Sequence, residues 1–190
     1  MHACSFRRPF LLSGVGLALL ALAPTSRLDA AQAVPQPHPQ TMHESHPAAP
    51  VSDMLTLSLN GRSLQLSPAD LAAMPQTSVT VHNGHSISNE QYTGVALSDL
   101  LARNGLALAP GNEQRFFHSY LRAQGTDFYF VLYSGTEIIS ALHRGNVLVA
   151  LRLNGQPLAA EGRFKLVSTE DTRPARWVRN LNSLTLVTLN

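Results

Sequence analysis

"NVLVALRLNGQPL", Asn146 to Leu158, is the stretch on which the fold turns. Val147 to Leu151 is a near-continuous apolar run, which reads as a strand covered on both faces rather than one with a solvated side. Asn154-Gly155 then closes a hairpin, because both residues accept the positive φ that a two-residue turn demands. The same device stands near the start of the folded region. "MLTLSLN" alternates apolar and polar residues, Asn60-Gly61 turns the chain, and "SLQL" resumes the alternation.

Outward from these hairpins, "SPADLAAM" predicts a short helix. Ser67 is its cap, Pro68 sits in the first turn where a missing N–H does no harm, and Asp70 completes a capping box. "TSVTVHNGHSI" predicts another hairpin; with Asn83-Gly84 as its turn, His82 and His85 oppose each other across the strands. "TGVALSDLLARNG" predicts a helix with Val95, Leu97, Leu100 and Leu101 on one face, ended by Asn104-Gly105. "FFHSYLRAQ" and "TDFYFVLYS" are aromatic-rich strand candidates. "SGTEIISAL" reads as a short helix with Ser134 and Glu137 as capping box, and "RFKLVST" and "SLTLVTL" complete the strands, with "RPARWVRN" between them. No internal repeat is evident. Many strands with a few short helices predict an α+β domain with mixed β-sheets, and the absence of regular βαβ alternation argues against a dinucleotide-binding fold.

Composition bounds the rest. The chain has 190 residues, 44% of them hydrophobic and 14% charged, enough to bury a single core. Arg7 and Arg8, the apolar run Pro9 to Ala23 and the small residues ending in Ala31-Gln32-Ala33 form the layout of a secretory signal over residues 1–33. The apolar run falls short of the ~20 residues of a bilayer span. Removal of this segment predicts a periplasmic or secreted protein with no stable membrane span. It also takes away Arg7, Arg8, Arg27 and Asp29, leaving bases and acids equal in number, so a nucleic-acid partner loses its support. Cys4, the only cysteine, goes with the signal, which excludes disulfides, thiolate metal sites and cysteine nucleophiles from the mature chain. Residues 34–53 open with "VPQPHPQTMHESHPAAP", a Pro- and His-rich tether with almost nothing to bury, and the folded domain is expected over 54–190.

The motif order "LTLSLNGR … LSPADLAAMP … VTV … YTGVALSDLLARNGL … DFYFVLYS … VLVALRLNGQPL … GRFKLVS … ARWVRNLNSLTL" resembles the molybdopterin-binding domain of the sulfite oxidase family, in a small, exported form. The resemblance spans about Met54 to Leu189. It implies the family's mixed-sheet fold and an ancestral cofactor cleft. The family's enzymes hold molybdenum through a cysteine whose equivalent place here is about Val81 to His85, where no cysteine stands. Imidazole does not replace a soft thiolate without changing the metal's electronics. Phe128 stands where the family pattern has glycine, and Phe164-Lys165 also departs from it.

His82 and His85 are compatible with three readings: a shared metal, a polar tip facing a ligand, or a solvated turn; two ligands are few for a tight metal site. Seven bases crowd the segment from Arg144 to Arg179, against Glu161, Glu170 and Asp171. The resemblance implies that basic residues here hold a cofactor's phosphate and pterin, which nominates Arg163, Lys165, Arg173 and Arg176 as cofactor-binding residues beside His82 and His85; a solvated strand edge is the competing reading. Trp177 is open between core and stacking platform. These observations predict a binding or accessory module for a small anionic or pterin-like ligand, or for a periplasmic redox partner. No bound cofactor and no metal are expected in this reading, with molybdopterin as the cofactor of the alternative: a molybdopterin-dependent oxidoreductase with non-cysteine molybdenum coordination.

Overall fold

The computed structural model describes residues 49–83, 86–158 and 161–189. Two five-stranded arrangements form the domain. The first sheet runs β2 (Arg62–Leu66), β1 (Leu55–Leu59), β10 (Leu181–Thr188), β5 (Ser119–Gly125), β6 (Phe130–Ser134). Its β1–β10 pair is parallel and its other pairs antiparallel, so the sheet is mixed. The second joins β3 (Thr77–Asn83), β4 (Ser88–Ala96) and β7 (Val147–Leu153); the far edge of β7 is shared by β8 (Gln156–Pro157) and β9 (Lys165–Ser168). Three short helices, α1 (Pro68–Ala72), α2 (Leu97–Arg103) and α3 (Glu113–Phe117), and a 3-10 turn at Pro174–Arg176 complete the described elements.

β7 is covered on both faces, as its sequence predicts. Val147 and Val149 enter the main core with Leu57, Val95, Leu121, Leu166 and Leu184, while Leu148 and Ala150 enter a smaller cluster with Val81, Tyr92, Val167 and Trp177. On β4, Gly94 lies against β7 so closely that a Cβ would sit 2.0 Å from the Val149 carbonyl oxygen, at the point where the β4–β7 register shifts. Only glycine permits that approach.

The turn chemistry reads through. Asn60-Gly61 and Asn154-Gly155 both have two consecutive positive φ values and close two-residue hairpins, Leu59 to Arg62 and Leu153 to Gln156. Ser67 caps α1, with its hydroxyl accepting from the Asp70 N–H and the Asp70 carboxylate accepting from the Ser67 N–H.

Three local expectations are corrected. Thr93 to Ala96 pair with β7 as part of β4, so α2 starts only at Leu97; the tertiary pairing overrides the helical spacing of Val95. Glu113–Phe117 is helical, and the strand begins after it, at Ser119. The Ser134–Glu137 box does form, with the Ser134 N–H donating to Glu137 Oε2 at 2.7 Å, but only turns follow it. Ile138 and Ile139 are both buried in the core from that turn segment. At the start of the domain, Ser52 is buried and Thr126 Oγ1 donates to the Pro50 carbonyl at 2.6 Å, so the last residues assigned to the tether lie against the domain.

Val149 has no exposed surface. Val149→Asp should cost several kcal/mol, the scale of an unpaired buried charge, read as a lowered urea midpoint; an unchanged midpoint would refute the two-faced placement of β7.

Candidate functional site

Lys165 is the first residue of β9 and pairs with Ala150. Its side chain therefore leaves on the same face as Leu148 and Ala150, into the smaller apolar cluster, and it is 3% exposed. A buried ammonium needs acceptors. Lys165 Nζ donates to Glu161 Oε2 at 2.6 Å and to the Tyr92 hydroxyl at 2.7 Å, and it lies 4.7 Å and 5.1 Å from the ring centroids of Tyr92 and Trp177. The two rings meet edge to face at 5.7 Å, and Trp177 Nε1 donates to the Ser168 carbonyl at 3.1 Å, which fixes the indole.

The contacts continue in both directions. The Tyr92 hydroxyl donates to Glu90 Oε2 at 2.7 Å; Glu90 also accepts from Asn83 Nδ2 at 3.0 Å and Ser86 Oγ at 2.9 Å. Glu161 reaches Arg179 Nε at 3.4 Å through its other oxygen. A chain of polar groups thus runs from the β3–β4 end, through a tyrosine and a buried lysine, to an exposed arginine. Beside it opens a cavity of about 310 Å³, lined by Asn83, Asp127, Tyr129, Glu161, Lys165, Trp177 and Arg179 among others. That volume falls in the range of small-molecule sites.

The environment tunes each group. Burial pushes the Lys165 ammonium below the usual lysine range, against the pull of Glu161. Burial also raises Tyr92, reinforced by Glu90, so the phenol stays protonated and keeps donating to that carboxylate. Burial on its own would raise Glu90, but hydrogen bonds from Tyr92, Asn83 and Ser86 and the nearby Lys165 charge together hold it below the ordinary carboxylate range.

The six residues nominated from the sequence are scattered. Lys165 is at the centre. Arg176 is not in the cavity: it donates through Nη1 to Glu137 at 2.9 Å and through Nε to Asp171 at 3.1 Å, stacks on Tyr133, and so clamps the 3-10 turn to the 134–146 segment. Arg163 lines a different groove and pairs with Asp53 at 2.8 Å. Arg173 is exposed and forms no ion pair among the described residues. His82 lies on the face of β3 away from the cavity, with Nδ1 3.3 Å from Asn89 Oδ1. Asn83 pairs with Ser88, so four residues rather than two make the turn, and the residue opposite His82 is Asn89; His85 lies outside the described residues. Among the described residues no group of three His, Asp, Glu or Cys side chains is placed to hold a metal ion.

Glu90, Tyr92 and Glu161 were not singled out for function in the sequence, though alternation carried part of the signal. Asn83, Val81 and Val79 share a face with Glu90 and Tyr92, so the period of two brings Asn83, not His82, to this side. Trp177 belongs to both readings: it is buried in the smaller cluster and forms a wall of the cavity.

A mixed sheet and an antiparallel sheet carrying a lysine-centred cavity define a small α+β domain. The chain matches the model of the oxidoreductase molybdopterin binding domain over residues 43–185, and it belongs to that family. The crystal structure of the sulfane dehydrogenase SoxCD from Paracoccus pantotrophus superposes with a TM-score of 0.56 at 22% identity, over 73% of this chain and 40% of that one, a likeness of fold. The chain thus spans about two fifths of that relative's length. No curated protein is significantly similar to it in sequence. A family that binds molybdopterin makes that cofactor a possible ligand, and the expectation that none is bound finds no support in it.

The cavity residues fit one part of such a group and not another. Lys165 and Arg179 suit an anionic substituent, and the Trp177 and Tyr129 rings suit a planar one. No described residue offers a thiolate, the soft donor that the family's enzymes use for the metal, since the one cysteine is Cys4.

Tyr92→Phe should leave Glu90 and Lys165 each one partner short and cost about 1–3 kcal/mol in urea denaturation. The depressed carboxyls predict an acid limb. Glu90 and Glu137 hold protons less tightly when folded than the ordinary value of 4.5, so the unfolded chain takes up protons first as pH falls. Their stabilisation is full above that value and fades as pH drops through the folded values; thermal midpoints measured from neutral to acid pH should fall there, and fall less steeply in Glu137→Gln.

Proposed function

We propose that this chain is an exported binding module of the molybdopterin-binding oxidoreductase family. It holds a small anionic or pterin-like ligand in the Lys165–Arg179 cavity and does not carry out cysteine-ligated molybdenum chemistry. The observation that carries this reading is the donor set: an ammonium, a guanidinium, two aromatic rings, carboxylates and an amide, with no thiol among the described residues. Arg179 is the group free to respond to a ligand. It is 70% exposed and its 3.4 Å contact with Glu161 is the longest ion pair among the described residues, so an incoming anion competes with that carboxylate at little cost. Lys165 is held in place by two short hydrogen bonds and supplies a fixed positive wall. Trp177 and Tyr129 exclude water from the ring of a planar ligand.

The test is recovery of the protein from a host with an intact molybdenum-cofactor pathway, with intact mass, metal analysis and fluorescence of released pterin measured on one sample. The expected result is a chain beginning at Val34 with well under one molybdenum per chain. A stoichiometric molybdenum content would overturn the module reading in favour of an oxidoreductase with non-cysteine coordination, and a retained Met1 would overturn export.

A further inference from the structure

A second groove, of about 390 Å³, shares no lining residue with the lysine-centred cavity. Its floor is apolar: Val51, Ala72 of α1, and Leu151 and Leu158 of the β7–β8 hairpin. Its polar side chains are Arg152 and Arg163. The two sites differ in charge balance. In the first, Lys165 and Arg179 are matched by Glu161 and Asp127. In the second, two arginines face one carboxylate, Asp53, which bonds Arg163 at 2.8 Å while both partners are more than half exposed. A pair so exposed is held weakly and exchanges readily. Arg152 is exposed and makes no ion pair among the described residues.

We propose that this groove binds a free medium-chain carboxylate, with the alkyl chain along Val51, Ala72, Leu151 and Leu158 and the carboxylate between Arg152 and Arg163. An apolar trough alone would favour any greasy ligand. The unmatched guanidinium selects an anionic head, and the planar fork suits a carboxylate through two parallel hydrogen bonds. Displacement of Asp53 from Arg163 completes the head-group site without unfolding any element. The groove's volume lies at the lower end of small-ligand sites, which matches a single chain rather than a two-chain lipid.

The proposal is tested by titrating the isotopically labelled purified chain with sodium decanoate, with decanol and anionic phospholipid vesicles as parallel arms. Decanoate should give saturable amide shifts at Val51, Ala72, Leu151 and Gly162 but not at Lys165 or Trp177. Decanol should bind about tenfold more weakly, the loss of one charge-assisted contact. Arg152→Ala should weaken decanoate by a similar factor and leave decanol unchanged, while Ala72→Trp, which fills the trough, should weaken both. Equal affinity for decanoate and decanol would overturn the head-group assignment. Absence of saturable shifts, shifts confined to the lysine-centred cavity, or binding to vesicles without binding to decanoate would overturn the site.

Discussion

A lysine placed opposite Ala150, in the middle of a strand whose two faces are both covered, is almost wholly cut off from solvent. The β7–β9 pairing fixes this placement, and most of the site follows from it. The ammonium could be buried only with a carboxylate and a hydroxyl in reach and aromatic faces around it, and Glu161, Tyr92 and Trp177 supply them. Tyr92 in turn engages Glu90, and Glu90 collects Asn83 and Ser86. One desolvated charge thus organises side chains from β3, β4, β9 and the segments flanking β9. Loss of a single partner leaves an uncompensated buried group, so the network stands or falls largely as a unit.

The fold was legible where local chemistry and tertiary structure agree. The Asn-Gly hairpins, the Ser67 cap and the two-faced apolar run all specify their conformation within a few residues. It was less legible where a distant strand decides. Thr93 to Ala96 carry helical spacing, yet Gly94 lets β7 come close and the ladder wins. The Asn83-Gly84 pair looks like the other two turn dipeptides, but Asn83 pairs with Ser88 and the loop is longer, which removes the opposed histidines. Nothing in those few residues distinguishes the two outcomes.

The site was half legible. Basic residues in the C-terminal part drew attention by number, but number does not say which of them has spare hydrogen-bonding capacity. Arg176 is taken by Asp171 and Glu137, and Arg163 looks onto another surface. Lys165 is set apart by its strand phase, which a sequence shows only once the pairing with β7 is known. Phe128 illustrates how a departure from a family pattern can leave the backbone intact. It stands where the resemblance calls for glycine, and it has the glycine-like φ of 65° with the residue 79% exposed. The left-handed conformation costs a side-chain-bearing residue roughly 1–2 kcal/mol, and no burial of the ring offsets it.

The parallel pairing of β1 with β10 joins Leu57 to Leu184, more than a hundred residues apart, in the centre of the first sheet. A chain emerging from a ribosome in order from its amino end therefore presents β1 and β2 as an orphan hairpin, with one strand's edge open, until β10 has appeared. Local hairpins form early, but the central seam of that sheet waits for the last strand. The domain is thus biased toward folding after, rather than during, the appearance of its chain, and until then the β1 edge stays unpaired.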